Sequence, residues 1–272
     1  MISKAVQRIV ISLLGLIVVI CFLGPLYFVF NTSLKSNMDF LRNSLSLVQH
    51  INWSNYATAW SEAQFGMYTF NSLFYVVVVV AVSMLMAVFL AFPLSRAYVR
   101  FSGLVYMAFV AGMFLPSGMI PLWQMIMKVG LYNTRIGYML TMMGGGGVTL
   151  FFFVAYVKNI PKEFDEAAAM DGCGYFHFVF RILIPLMRPA IASMAILCAI
   201  GVWNEILNSI IYLSDQNLFP VTRGLYVFQG NYTVQWPLLM AALVIVAAPM
   251  VILYVFLQKH IINGVIAGGV KE

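Results

Sequence analysis

Apolar residues fall in six long blocks, at about 9–30, 70–94, 103–127, 136–157, 190–213 and 236–257, separated by more polar segments of unequal length. Each block holds about 20 or more residues, the length a helix needs to cross a hydrocarbon core about 30 Å thick. The pattern predicts an all-α polytopic membrane protein with six transmembrane helices in a single domain over residues 1–272. The first block is too long for a signal-peptide core, and no small-x-small cleavage site follows it before Asn31, so it is expected to stay as a helix. Pro25, Pro116, Pro121 and Pro249 fall within blocks, and Gly144 to Gly147 interrupt the fourth. Such helices are expected to pack inside a bundle, where neighbours satisfy the freed backbone groups.

Composition sharpens this picture. The chain is 62% hydrophobic and 9% charged, with a mean hydropathy of +0.93, whereas a soluble domain carries about 25% charged residues. A soluble globular protein is excluded. The net charge of +6 comes from basic residues scattered through short loops, not from the clustered patch that nucleic acid requires. With the N-terminus in the cytoplasm, ten Lys and Arg lie on the inner side and five on the outer, which predicts a plasma-membrane protein with both termini cytoplasmic. Trp53, Trp60, Trp123 and Trp236 then fall in or beside outer segments, where their rings favour the interface. The two long connections, 31–69 and 158–189, lie on opposite sides. Cys21, Cys173 and Cys198 lack metal-site or disulfide spacing, and no metal ligand set is expected.

The inner connection, 158–189, is the most informative segment. Pro161 suits a first helical turn, and Glu163, Asp165 and Glu166 follow where the helix dipole is positive. Gly172 and Gly174 punctuate the run, Tyr175 to Arg181 form a second short aromatic helix, and Pro185 and Pro189 break the chain before the fifth span. Two short helices joined by a glycine turn are expected at the inner membrane surface. Beyond the sixth span a tail occupies 258–272.

Glu166-Ala167-Ala168, Asp171-Gly172, Ile182, Pro185 and Pro189 resemble the EAA loop of ABC importer permeases. Cys173 and Gly174 depart from the usual Ala and Ser or Thr, and Val179 from a frequent Phe. Asn52-Trp-Ser-Asn-Tyr56, Asn71-Ser-Leu73, Ile120-Pro-Leu122, Gly130-Leu131 with Thr134, Trp203-Asn-Glu205 and Ala267-Gly-Gly-Val-Lys271 are similar to the carbohydrate-uptake branch, in particular the six-helix second permease subunit of maltose-type importers. The resemblance implies the type I importer fold. It implies that Glu166, Ala167, Ala168, Asp171 and Gly172 dock on an ATPase, and that Ala267, Gly268, Gly269, Val270 and Lys271 contact the two ATPase subunits. Implied partners are a second homologous permease forming a heterodimer, two ATPase subunits and an extracytoplasmic sugar-binding protein. ATP and Mg would sit on the ATPase, with no cofactor on this chain.

Glu205 is the one ionisable Asp, Glu, Lys, Arg or His inside the six blocks. It stands 15 residues beyond Ala190, about 22 Å along a helix from the inner end, in the outer third of the core. Gly201, Asn204, Glu205 and Asn208 recur at i, i+3, i+4 and i+7, on one face of a continuous helix. Amides beside aromatics suit a sugar pathway; a hydrogen-bonded seam to a partner permease fits the same stripe. No catalytic residues emerge, since His50, His177 and His260 are scattered and no hydrolase or metalloprotease motif occurs. The expected function is the permease subunit of an ATP-driven sugar or oligosaccharide importer. The rivals are an ABC permease for a polyamine, phosphate or other non-sugar solute, and an ion-coupled secondary transporter, whose internal repeat and ion ligands are not visible.

Overall fold

The computed structural model describes residues 4–115, 118–143, 147–229 and 234–269, with side chains between 11 and 256. Pro116, Gly144 to Gly146, Val270 and Lys271 lie outside the described residues. The chain divides into two compact units, 1–67 with 223–249, and 68–222 with 250–272. Among the described residues three helices are single spans by length and hydropathy, and three bent helix pairs raise the number to six if each pair crosses once.

In the first unit α1 (Lys4–Ser33) has apolar side chains exposed all round its axis from Ile11 to Ile20. A helix apolar on every side stays in place only against lipid or another apolar helix. Its far end is the reverse, a buried polar knot. Asn55 Nδ2 donates to the carbonyls of Ser33 and Lys35 at 2.7 and 2.8 Å. The Lys35 ammonium donates to the carbonyls of Asn43 and Ser44 at 3.2 and 2.9 Å. Burial lowers the Lys35 pKa below its usual value, and Asp39 partly offsets this. The short helices α2 (Asn37–Arg42) and α3 (Ser54–Glu62) complete the knot.

The second unit is built on α4 (Phe65–Ser95), which begins just ahead of it. Val88, Ala91 and Phe92 of α4 form a buried core with residues of two later elements. These are Phe153 and Val157 of α8 (Gly147–Lys158), and Val179, Leu183, Met187 and Ala190 further on.

The third block is not one helix. It forms α5 (Ser102–Phe114) and α6 (Met119–Lys128), whose axes differ by 110°. Leu115 is extended (φ −74°, ψ 143°), the conformation a residue ahead of proline prefers. Pro121 sits in the first turn of α6, where its missing N–H has no intrahelical acceptor to lose. The fourth block bends by 50° between α7 (Arg135–Met143) and α8. Asn71, fully buried in α4, binds this region: its Nδ2 donates to the carbonyls of Asn217 and Phe219 at 2.8 and 3.1 Å, and its Oδ1 accepts from Arg135 Nη2 at 3.0 Å.

The remaining helices are α9 (Glu163–Met170), α10 (Tyr175–Phe178), a π-helical turn (Val179–Leu183), α11 (Ile184–Leu186), α12 (Arg188–Asn204), α13 (Leu207–Tyr212) and α14 (Trp236–Gly269). The expected break at Pro185 does not occur, because α10 runs unbroken through the π turn into α11. The direction changes by 82° at Met187 instead, and Pro189 lies in the first turn of α12. The sixth apolar span runs from Trp236 to Phe256, but its helix outlasts it: α14 continues to Gly269, so Ala267, Gly268 and Gly269 form its last turn.

Candidate functional site

Two features of the second unit carry chemistry, the 158–189 segment and a cleft beside Glu205. Pro161 lies ahead of the N-cap rather than in the first turn as expected, and α9 starts at Glu163 after Lys162. The Lys162 side chain supplies no cap. Three carboxylates, Glu163, Asp165 and Glu166, occupy the first turn, where the unpaired N–H groups leave partial positive charge. They do not share one fate: Glu163 and Glu166 are exposed, and Asp165 is turned inward and buried.

The helix ends in a Schellman motif. The Cys173 N–H reaches the Ala168 carbonyl at 2.9 Å and the Gly172 N–H reaches the Ala169 carbonyl at 3.1 Å. This closure needs the left-handed conformation seen at Gly172 (φ +69°), which explains a glycine after Asp171. The turn delivers the chain into α10 with Cys173 packed against the core. Of the residues singled out for docking, Glu166, Ala167, Asp171 and Gly172 are exposed, and Ala168 is buried in the core. Met170 is 89% exposed and Phe176 68%, so the outer face of this helical pair is apolar as well as acidic. Between α9 and α11 lies a groove of about 540 Å³, bordered by Phe164, Ala167, Asp171, Arg181 and Pro185.

The cleft has a volume of about 430 Å³. Ser83 of α4, Thr141 of α7, Thr149 of α8, and Gly201, Glu205 and Asn208 border it, among methionine and branched aliphatic side chains. Asn204, placed on the same stripe from sequence, is exposed and outside the lining. The continuous helix face expected there is interrupted, because α12 stops at Asn204 and Glu205 is extended (φ −70°, ψ 116°). Glu205 repairs the break itself. Its Oε1 accepts from the Asn208 N–H at 2.9 Å, capping the start of α13, and its carbonyl accepts from Thr222 Oγ1 at 3.2 Å. Break and cap together keep Gly201, Glu205 and Asn208 on one cavity wall.

Sequence reasoning passed over Ser83, Thr141 and Thr149. Each is a single hydroxyl in an apolar block, and what they share appears only when three helices converge. It also read Arg96 as no more than a topology charge. The Arg96 Nε lies 2.6 Å from Asp165 Oδ2, with both side chains nearly buried.

Comparison with known proteins supplies the frame for this geometry. The chain is 30% identical to the diacetylchitobiose uptake system permease protein NgcG of Streptomyces coelicolor, covering 97% of this chain and 88% of that one. It is 30% identical to the melibiose/raffinose/stachyose import permease protein MelC of Bacillus subtilis, covering 96% of each. Among solved structures, a chain of a bacterial ABC transporter that imports the acidic polysaccharide alginate superposes with a TM-score of 0.84 at 25% identity, covering 95% of this chain and 98% of that one. Residues 64–266 match the family model described as the binding-protein-dependent transport system inner membrane component. The matched region takes in both the 158–189 segment and the cleft, and the chain belongs to this family of inner-membrane transport permeases.

Proposed function

We propose that this chain is the permease subunit of an ATP-driven importer of a sugar or oligosaccharide. The observation that carries the reading is the cleft. Ser83, Thr141, Thr149 and Asn208 offer hydroxyl and amide partners beside apolar side chains, the pairing that a sugar's hydroxyls and C–H faces require. Among the described residues bordering it there is one carboxylate, that of Glu205, and no cation. The oligosaccharides named for NgcG and MelC support the same substrate class.

In this reading both termini face the cytoplasm, and the exposed face of α9 with the Gly172 turn docks on a separate ATPase subunit through Glu166, Ala167, Asp171 and Gly172. A second, homologous permease completes a heterodimer, two ATPases bind below it, and an extracytoplasmic binding protein delivers the sugar. The stretch from Ala267 to Lys271, whose first three residues end α14, reaches the ATPase pair. ATP, with Mg, is bound and hydrolysed on the ATPases. Their closure displaces α9 and shifts the spans from inward-open to outward-open, a state that the loaded binding protein favours by binding it better.

Docking is tested by purifying the complex through a tag on this chain. Glu166→Arg is expected to lose the ATPase at least tenfold while the second permease is retained. Full retention of the ATPase would remove Glu166 from the interface.

A further inference from the structure

The end of α4 is tied to the 158–189 segment at three points that neither docking nor the cleft uses. Pro93 has no N–H, so the Phe89 carbonyl one turn earlier lacks its helical donor. The Tyr175 hydroxyl donates to that carbonyl at 2.5 Å, and its ring lies 5.9 and 6.1 Å from those of Phe89 and Phe92. Three residues after Pro93, Arg96 pairs with Asp165, and its Nη2 donates to the Ile160 carbonyl at 2.8 Å. Ile160 precedes α9, Asp165 lies in the first turn of α9, and Tyr175 opens α10. One guanidinium therefore holds both sides of the entry into α9, while one hydroxyl holds the helix that follows.

Burial gives the ion pair its mechanical meaning. The Arg96 and Asp165 side chains are 4% and 6% exposed. A surface pair separates at little cost because water replaces each partner, whereas separating this one strands two charges. Among the described residues neither Asp165 carboxylate oxygen has a hydrogen-bond partner, so the charge of the Arg96 guanidinium, 2.6 Å from Oδ2, is what compensates the carboxylate. Lysine would not replace it fully, since a single ammonium lacks the fork that reaches Asp165 and Ile160 together. Ser83, on the cleft wall, stands 13 residues back along α4, about 20 Å from Arg96.

We propose that Arg96 and Asp165 are a positioning pair that makes α9 and α4 move as one body, so that displacement of α9 reaches the cleft wall at Ser83. The proposal rests on the docking reading only for what pushes α9; the clamp stands without it.

The test is a distance measurement between spin labels at Met170→Cys, on the exposed end of α9, and Val77→Cys, on the exposed side of α4, with the three native cysteines replaced by serine. The full-length chain is measured in lipid nanodiscs alone, and in its complex with and without ATP and vanadate. One narrow distance is expected, unchanged by nucleotide to within about 2 Å because the linked helices do not separate. Arg96→Ala and Asp165→Ala should broaden it and make it nucleotide-dependent, and Arg96→Asp combined with Asp165→Arg should restore the narrow, nucleotide-independent distance. If Arg96→Ala does not accumulate, Arg96→Lys carries the test with a smaller broadening. A narrow, nucleotide-independent distance in the single variants overturns the clamp, as does a swapped pair that fails to restore it. Failure of the chain to retain an ATPase overturns docking instead, and the distance in the chain alone still decides the clamp.

Discussion

Replacing Glu205 separates two roles that a carboxylate in a transport cleft can play. In this structure its Oε1 accepts from the Asn208 N–H and caps α13 after the break at the end of α12. Glu205→Ala removes that acceptor, a loss of about 0.5–2 kcal/mol for a helix cap, and removes a negative charge from a helix start, about 0.3–1 kcal/mol more. The total of about 1–3 kcal/mol lowers the ordered fraction of α13 by a factor of about 5–150. Glu205→Gln keeps a carbonyl oxygen that can accept the same bond, and loses only the charge contribution. Hydrogen exchange on peptides covering 205–212 in nanodiscs should therefore rise in the alanine variant and stay near wild type in the glutamine variant. Uptake should follow the same order, with Glu205→Gln within about fivefold of wild type, the ratio corresponding to the lost charge contribution. A glutamine variant with native exchange but uptake reduced a hundredfold would refute the reasoning and assign the charge directly to the solute.

Three further outcomes follow from local geometry. Asn71→Ala strips donors from two backbone carbonyls and an acceptor from Arg135, a loss of roughly 3–5 kcal/mol; a strongly lowered melting temperature of the purified chain is expected, and an unchanged one would contradict it. Gly137→Ala drives a Cβ into the Leu131 carbonyl group. Because the obstacle is backbone, the variant should lose at least about 1–3 kcal/mol and accumulate poorly, which quantitative blotting of membranes would show. Tyr175→Phe should cost about 1 kcal/mol, but much less in a Pro93→Ala background, where residue 93 regains an N–H for the Phe89 carbonyl; additive effects in melting would refute the pairing.

Membrane class and the acidic, glycine-terminated helix α9 were legible because their signals are local. Apolar block length reports the bilayer, and an Asp-Gly step after three first-turn carboxylates reports a helix with a defined start and stop. What escaped depended on geometry that no period encodes. The stripe through Gly201, Glu205 and Asn208 assumed unbroken helix, yet those residues share the cleft only because α12 stops and α13 restarts under Glu205. Arg96 and Asp165 are 69 positions apart, and in sequence one is a loop charge and the other a dipole partner. Asp165 differs from its neighbour Glu166 only in facing the core. The tail at 258–272 was set apart from the sixth span although helix runs on to Gly269, because the apolar block that reports the span says nothing of where its helix stops.

The measurement that bears most directly on the central claim is ATP hydrolysis in proteoliposomes containing this chain, its second permease and the ATPase. A panel of neutral and acidic sugars would be presented by the binding protein, beside a polyamine and an inorganic anion. Stimulation by a sugar, abolished by Glu166→Arg, is the result this account predicts. An assembled complex that ignores every sugar and responds to the polyamine or the anion would contradict it.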